Sequence, residues 1–209
     1  MKDLIIIGAG GMGRTMYDLA RESLGYGIEF QIKGFIDDKI SALNGFVGYP
    51  PIVGTISAYY PEANDVFACS IGGHARRRCM ESLINRGAEF ISLIHKTARI
   101  GSNVKIGKGN LVGSFTIVAA DAIIGDYNFI QSMTIIGHDV VVGNWNRIDS
   151  QVMMVGGITL GNYNMVHTGA MINHNVHIGN DCTIGACSFV TRDVENGSTL
   201  FSTPARRLK

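Results

Sequence analysis

The chain has 209 residues, 46% of them hydrophobic, and 18 Lys and Arg against 17 Asp and Glu leave a net charge of +1. That length buries a sizeable core in one or two domains, and a near-neutral balance without a Lys/Arg run excludes nucleic acid and an anionic membrane surface as expected partners. Small molecules are the expected ligands.

The apolar start, Met1 to Gly8, is too short for a secretory signal, and no stretch reaches the roughly 20 apolar residues that span a bilayer, so a cytoplasmic location is expected. After it, strand and helix patterns alternate. Residues 4–8 read as a strand, 12–24 as a helix with an apolar stripe, 30–36 and 66–71 as strands, 76–86 as a second helix and 90–94 as a further strand. This order predicts a small Rossmann-like α/β domain with a parallel sheet over residues 1–93. Pro50, Pro51 and Pro61 punctuate a middle section without clear periodicity.

Gly8-Ala9-Gly10-Gly11-Met12-Gly13 lies between the first predicted strand and helix. Glycines at such a turn let the backbone approach phosphates, and the helix N-terminus favours negative charge. Asp37 and Asp38 end the second predicted strand, where an acid can accept hydrogen bonds from a ribose or a base. A nicotinamide dinucleotide needs a second mononucleotide half that a section this short lacks, so a mononucleotide fits better. The competing reading is a tight glycine turn beside two solvated aspartates.

From Ile94-His95-Lys96-Thr97-Ala98 onward the pattern changes, and aliphatic residues recur every six positions from Ile100 through Ile136 and Met154 to Val190. A slower beat of eighteen aligns Gly107, Gly125, Gly143, Gly161 and Gly179, and Asn110, Asn128, Asn146 and Asn164. This is the signature of a left-handed parallel β-helix of hexapeptide repeats over residues 94–209, three hexads to a coil. Residues eighteen apart then stack at roughly 4.8 Å, with aliphatic side chains inside and asparagines laddered along the axis. The segment from Phe201 to Lys209 leaves the repeat and is expected to cover the last coil.

His138-Asp139 stands two residues past an inward position, so the imidazole projects from the prism, and Gly156 occupies the same phase one coil later. Histidine can take a proton from an attacking amine or hydroxyl, and a backbone N–H beside it can stabilise a developing oxyanion. A solvated surface histidine is the competing reading. His167, His174 and His177 invite a metal reading, but no Cys or carboxylate cluster completes a first shell, and no metal is expected. Tyr127, Trp145 and Tyr163 form an eighteen-spaced stripe, read as ring stacking or as a ligand or subunit contact. Cys69, Cys79, Cys182 and Cys187 show no CxxC spacing and read as buried reduced thiols.

These residues together resemble the two-domain bacterial sugar acetyltransferases, similar to the UDP-4-amino-sugar N-acetyltransferase of bacillosamine synthesis and the O-acetyltransferases of sialic-acid pathways. The resemblance rests on the Gly8–Gly13 turn, Phe35-Ile36-Asp37-Asp38, Ile71-Gly72, Ile94-His95-Lys96-Thr97-Ala98, Gly137-His138-Asp139, Gly156-Gly157 and Thr203-Pro204-Ala205. It implies His138 as general base, Asp139 as its orienting carboxylate, and Gly156, Arg147, Pro204 and Ala205 as contacts of acetyl-CoA. Gly8, Gly10, Gly13, Asp37, Asp38, Ile71 and Gly72 are implied to hold the nucleotide sugar. It further implies a homotrimer with sites between neighbouring prisms. Two departures stand out: Arg147 occupies the position, nine residues after the base, where similar enzymes carry a second histidine, and Gly73-His74 replaces an Asp-Asn pair.

The expectation is an acetyl-CoA-dependent N-acetyltransferase acting on a nucleotide-linked amino sugar, a UDP-4-amino sugar, for bacterial surface glycan synthesis. Sugar O-acetylation is the nearest alternative. A metal-dependent β-helix lyase or hydrolase and a non-catalytic nucleotide-binding scaffold are the alternatives from other classes.

Overall fold

The computed structural model describes residues 1–202. The chain divides into two compact units, Met1–Lys96 and one beginning at Thr97.

The first unit is an all-parallel five-stranded sheet of β1 (Lys2–Ile7), β2 (Phe30–Ile36), β3 (Ile52–Gly54), β4 (Asp65–Cys69) and β5 (Glu89–Phe90), in the order β3-β2-β1-β4-β5. Helices α1 (Gly11–Arg21) and α2 (Gly73–Ile84) follow β1 and β4. Leu4, Ile5, Ile6 and Ile7 are wholly buried, as expected of a central parallel strand whose two faces are both covered. β3 has no counterpart in the sequence pattern, because three residues after a Pro-Pro pair are too few to show a period. It approaches β2 where Gly34 has no Cβ; one there would stand 2.5 Å from the Pro51 carbonyl oxygen. The expected strand over 90–94 is instead two separate pieces, β5 and the two residues Leu93–Ile94.

β4 starts with a buried ion pair. Asp65 accepts from Lys33 at 2.9 Å, the Tyr59 hydroxyl at 2.7 Å and the Glu62 N–H at 2.9 Å. Burial alone raises this carboxyl, but the Glu62 N–H, Lys33 and Tyr59 overcome it and hold Asp65 below its ordinary value.

The second unit is a parallel β-helix of two-residue strands on three faces. The first face runs from Arg99–Ile100 to Phe189–Val190, the second from Lys105–Ile106 to His177–Ile178, and the third from Leu111–Val112 to Thr199–Leu200. Partners such as Ile117 and Ile135 or Phe129 and Arg147 are one coil apart. The last coil is shortened, so Thr183 pairs with Thr199. The inward aliphatics from Val112 to Val190 are buried, whereas Ile100 at the open first coil is 40% exposed.

Asn110, Asn128, Asn146 and Asn164 are buried, and each Oδ1 accepts an amide N–H eighteen residues on, the last at Cys182, at 2.7 to 2.9 Å. Their side-chain amides donate to glycine carbonyls, so the ladder satisfies the polar groups it buries. A second ladder, Asn144, Asn162, Asn180 and Asn196, runs along the same corner. Corners put one residue in six into the left-handed region, among them Tyr127, Asp139, Trp145 and Tyr163 at φ 58° to 61°. Tyr127 and Trp145 stack there, with ring centroids 4.4 Å apart. Cys187 occupies such a corner too and is exposed, which corrects the expectation of a buried thiol; Cys69 and Cys182 are buried.

Candidate active site

His138 sits at the corner between the first and second faces, after Ile135–Ile136 and before Val141–Val142. Asp139, in the left-handed corner conformation (φ 59°), turns its carboxylate back so that Oδ2 lies 2.6 Å from His138 Nδ1. A carboxylate only accepts, so Nδ1 donates and, in the neutral ring, Nε2 carries the lone pair. Both side chains are 65% exposed.

The imidazole lies over Gly156 on the next coil. A Cβ built at Gly156 would stand 2.5 Å from both Cε1 and Nε2, so glycine is what admits the ring. Val155 and Gly157 donate their amides to Ile172 (3.1 Å) and His138 (3.0 Å), but among the described residues the Gly156 N–H has no acceptor. A proton acceptor held by a carboxylate and an unspent backbone donor are thus side by side, the parts that acyl transfer needs.

Arg147 is not beside them. It belongs to the third face, which lies across the prism from the His138 corner. Its Nε donates to Asp149 Oδ1 at 2.7 Å; Gln131 donates to the same oxygen at 2.8 Å, and His167 Nδ1 is 3.1 Å from Oδ2. The sequence reading passed over this cluster, although Gln131, Asp149 and His167 are spaced by eighteen and so form one legible column.

In the α/β unit the other expected residues gather at the carboxyl ends of β1, β2 and β4. The order β3-β2-β1-β4-β5 places the topological switch between β1 and β4, where open α/β sheets bind ligands. Gly10 and Gly72 are the N-caps of α1 and α2, and neither helix has a side-chain cap or an acid in its first turn, so both positive ends are open to an anion. Gly8, at φ 92°, turns the chain, and Gly13 packs so closely that a Cβ there would run into the Gly8 carbonyl oxygen. Ile71 leads into Gly72 from β4. Asp37 Oδ2 accepts the Ala9 N–H at 2.7 Å and Oδ1 the Lys39 N–H at 2.8 Å, so this acid ties the glycine turn to the end of β2. Asp38 accepts from the Ser57 amide and hydroxyl, each at 3.2 Å. Ser70, another residue the sequence reading missed, closes the turn by donating to the Ile7 carbonyl at 2.8 Å.

Pro204 and Ala205 lie outside the described residues. Among the described residues no three His, Cys, Asp or Glu side chains are grouped to hold a metal ion, and no helix is long and apolar enough to cross a membrane.

The PglD N-terminal domain model matches residues 3–83, and the bacterial transferase hexapeptide model, six repeats, matches residues 157–192. Residues 3–83 are thus similar to a PglD N-terminal domain, and residues 157–192 to the hexapeptide repeats of bacterial transferases. The first match contains the glycine turn, Asp37, Asp38, Ile71 and Gly72; the second begins one residue after Gly156. An uncharacterized protein of Acanthamoeba polyphaga mimivirus is 32% identical over 117 residues, 56% of this chain and 22% of that protein. The UDP-N-acetylbacillosamine N-acetyltransferase of Bacillus subtilis is 26% identical over 117 residues, 54% of this chain and 51% of that enzyme. The chain therefore matches about half or less of these curated relatives' own lengths. Among solved structures, the acetyltransferase domain of PglB from Neisseria gonorrhoeae, in complex with acetyl coenzyme A, superposes with a TM-score of 0.83 at 27% identity, covering 99% of both chains.

Proposed function

We propose that this protein transfers the acetyl group of acetyl-CoA to the amine of a nucleotide-linked amino sugar, a UDP-4-amino sugar, in the cytoplasm. The observation that carries the reading is the His138 imidazole, held by Asp139 and laid over Gly156. The similarity to the PglB acetyltransferase domain and to the Bacillus enzyme supports the choice of donor and acceptor.

The sugar nitrogen attacks the thioester carbonyl carbon, forming a C–N bond while His138 Nε2 takes a proton from the nitrogen. Asp139 stabilises the imidazolium that results. The tetrahedral oxyanion accepts from the Gly156 N–H. Collapse breaks the C–S bond, and the imidazolium returns its proton to the leaving sulfur, releasing CoA thiol and N-acetyl sugar. A sugar amine is partly neutral near pH 7 to 8, by analogy with α-amino values of about 7.7–8.0, so a histidine is base enough.

Residues 1–93 hold the nucleotide sugar in this reading, with the diphosphate at the two open helix ends, and residues 94–209 hold acetyl-CoA. Pro204 and Ala205 are assigned to acetyl-CoA, and Arg147 to acetyl-CoA or to a charge on the sugar nucleotide. Since Arg147 and His138 stand on opposite sides of one prism, a shared site needs a second copy, and a homotrimer supplies it. The outward column Ile117, Ile135, Met153, Met171 and Phe189 on the first face, with Met171 45% and Phe189 64% exposed, offers an apolar surface for that packing.

The test is incubation with acetyl-CoA and a UDP-4-amino sugar, following free thiol and product mass. Stoichiometric thiol and N-acetyl product are expected. Thiol release only with an acceptor bearing a hydroxyl in place of the amine would reassign the enzyme to O-acetylation.

A further inference from the structure

A second histidine of the β-helix, His167, is held by a carboxylate and has no part in the chemistry above. Its Nδ1 lies 3.1 Å from Asp149 Oδ2, on the third face. Asp149 is the hub of a built array. Its side chain is only 8% exposed, and its other oxygen receives Arg147 Nε at 2.7 Å and the Gln131 amide at 2.8 Å. Ser150 donates to Gln131 Oε1 at 3.1 Å and so fixes which end of that amide faces the carboxylate.

The way Arg147 is held matters. An arginine recruited only to neutralise a buried carboxylate commonly spends two parallel N–H groups on it. Here Nε alone is used, the side chain is 37% exposed, and among the described residues nothing accepts from the two terminal nitrogens. His167 is 36% exposed, and its Nε2 likewise has no partner there. The two heads converge on one carboxylate from adjacent coils, so a pre-oriented guanidinium fork and an imidazole edge face outward together. Such a fork matches the oxygens of a phosphate, to which His167 Nε2 donates in the protonated ring, and fixing the guanidinium in advance lowers the ordering cost of binding.

We propose that Arg147 and His167, aligned by Asp149, bind a phosphate group carried by one of the two co-substrates. The site itself follows from the geometry; the identity of the phosphate's carrier rests on the acetyl-transfer reading. Asp149 and Gln131 are positioning residues, since they reach the ligand only through Arg147 and His167.

The first test needs no turnover. Inorganic pyrophosphate is titrated into the full chain while the His167 ring is followed by NMR. A saturable shift in the wild type that disappears in Arg147→Ala is expected; no saturable shift, or one that Arg147→Ala leaves intact, overturns the site. The second test identifies the carrier by calorimetry with CoA, pantetheine and UDP. Arg147→Ala should weaken either CoA or UDP by ~10-fold or more, the loss expected for a hydrogen bond to a charged group, and leave phosphate-free pantetheine unchanged. Equal weakening of pantetheine, or no weakening of CoA and UDP, overturns the assignment to a co-substrate phosphate. Asp149→Asn should weaken the same ligand that Arg147→Ala weakens and leave pantetheine unchanged; equal weakening of pantetheine would reduce Asp149 to a structural role. If that variant does not fold, Arg147→Ala and His167→Ala carry the test alone. Failure of acetyl transfer with pyrophosphate binding intact would remove the enzyme reading and leave the site standing.

Discussion

In the β-helix, residues eighteen apart are neighbours, so His138 meets Gly156 and Asn128 meets Asn146 by simple counting; in the α/β unit, Asp37 reaches Ala9 across 28 positions that no period relates. The difference shapes how each unit builds a site. The β-helix repeats one backbone and varies what stands on it, so its candidate chemistry is an exposed pair of side chains. The α/β unit instead shapes its crevice with backbone, through two helix ends and glycines whose missing Cβ atoms allow close packing.

That contrast predicts opposite outcomes for adding one methyl group. Gly156→Ala places Cβ 2.5 Å from an imidazole that is the free end of an exposed side chain, so the ring swings away and the fold survives. Turnover should fall ~100-fold, the low end of a general base's contribution, with the melting temperature almost unchanged. Wild-type turnover would show that the placement of the ring over Gly156 is irrelevant.

In the α/β unit the same change strikes backbone. At Gly13 the new Cβ meets the Gly8 carbonyl, which cannot step aside, whereas at Gly10 nothing lies within 4 Å. Gly13→Ala should lose about 1–3 kcal/mol in chemical denaturation and Gly10→Ala close to none. Equal losses would mean that the turn is looser than its packing indicates.

Asp37 separates the units by ligand. Because its carboxylate holds the Ala9 amide at the glycine turn, Asp37→Ala should raise KM for the nucleotide sugar roughly tenfold, within the range for a hydrogen bond to a charged group, and spare KM for acetyl-CoA. A rise for acetyl-CoA instead would move the nucleotide out of this crevice.

The smallest effect concerns acid. Asp65 is held below its ordinary value, so its contribution to stability is complete above the unfolded aspartate value of about 3.9 and is lost as pH falls through the lower folded value. Asp65→Asn should flatten that part of a stability profile; an unchanged acid limb would show that other carboxylates set it.

Legibility followed the same division. The hexad beat predicted the inward aliphatics, the asparagine ladder and the His138–Gly156 contact, because in a solenoid local spacing is spatial spacing. The same count sets Gln131, Asp149 and His167 in one column, but it could not show that Arg147 joins them, since that depends on a side chain leaning along an outer face. In the first unit the glycine turn and both helices were readable from pattern, but β3, the strand order and the closing bonds of Asp37 and Ser70 were not. Those are settled by tertiary packing of short segments, which carry no period of their own.

The most direct measurement is the turnover of His138→Ala together with its affinity for acetyl-CoA. The imidazole is 65% exposed and stands on a repeat whose core it does not fill, so the variant should fold and bind acetyl-CoA nearly as the wild type does. Loss of a general base predicts a fall in kcat of roughly 100-fold or more at that unchanged affinity. Wild-type kcat in His138→Ala would contradict the assignment of this dyad as the acetyl-transfer centre.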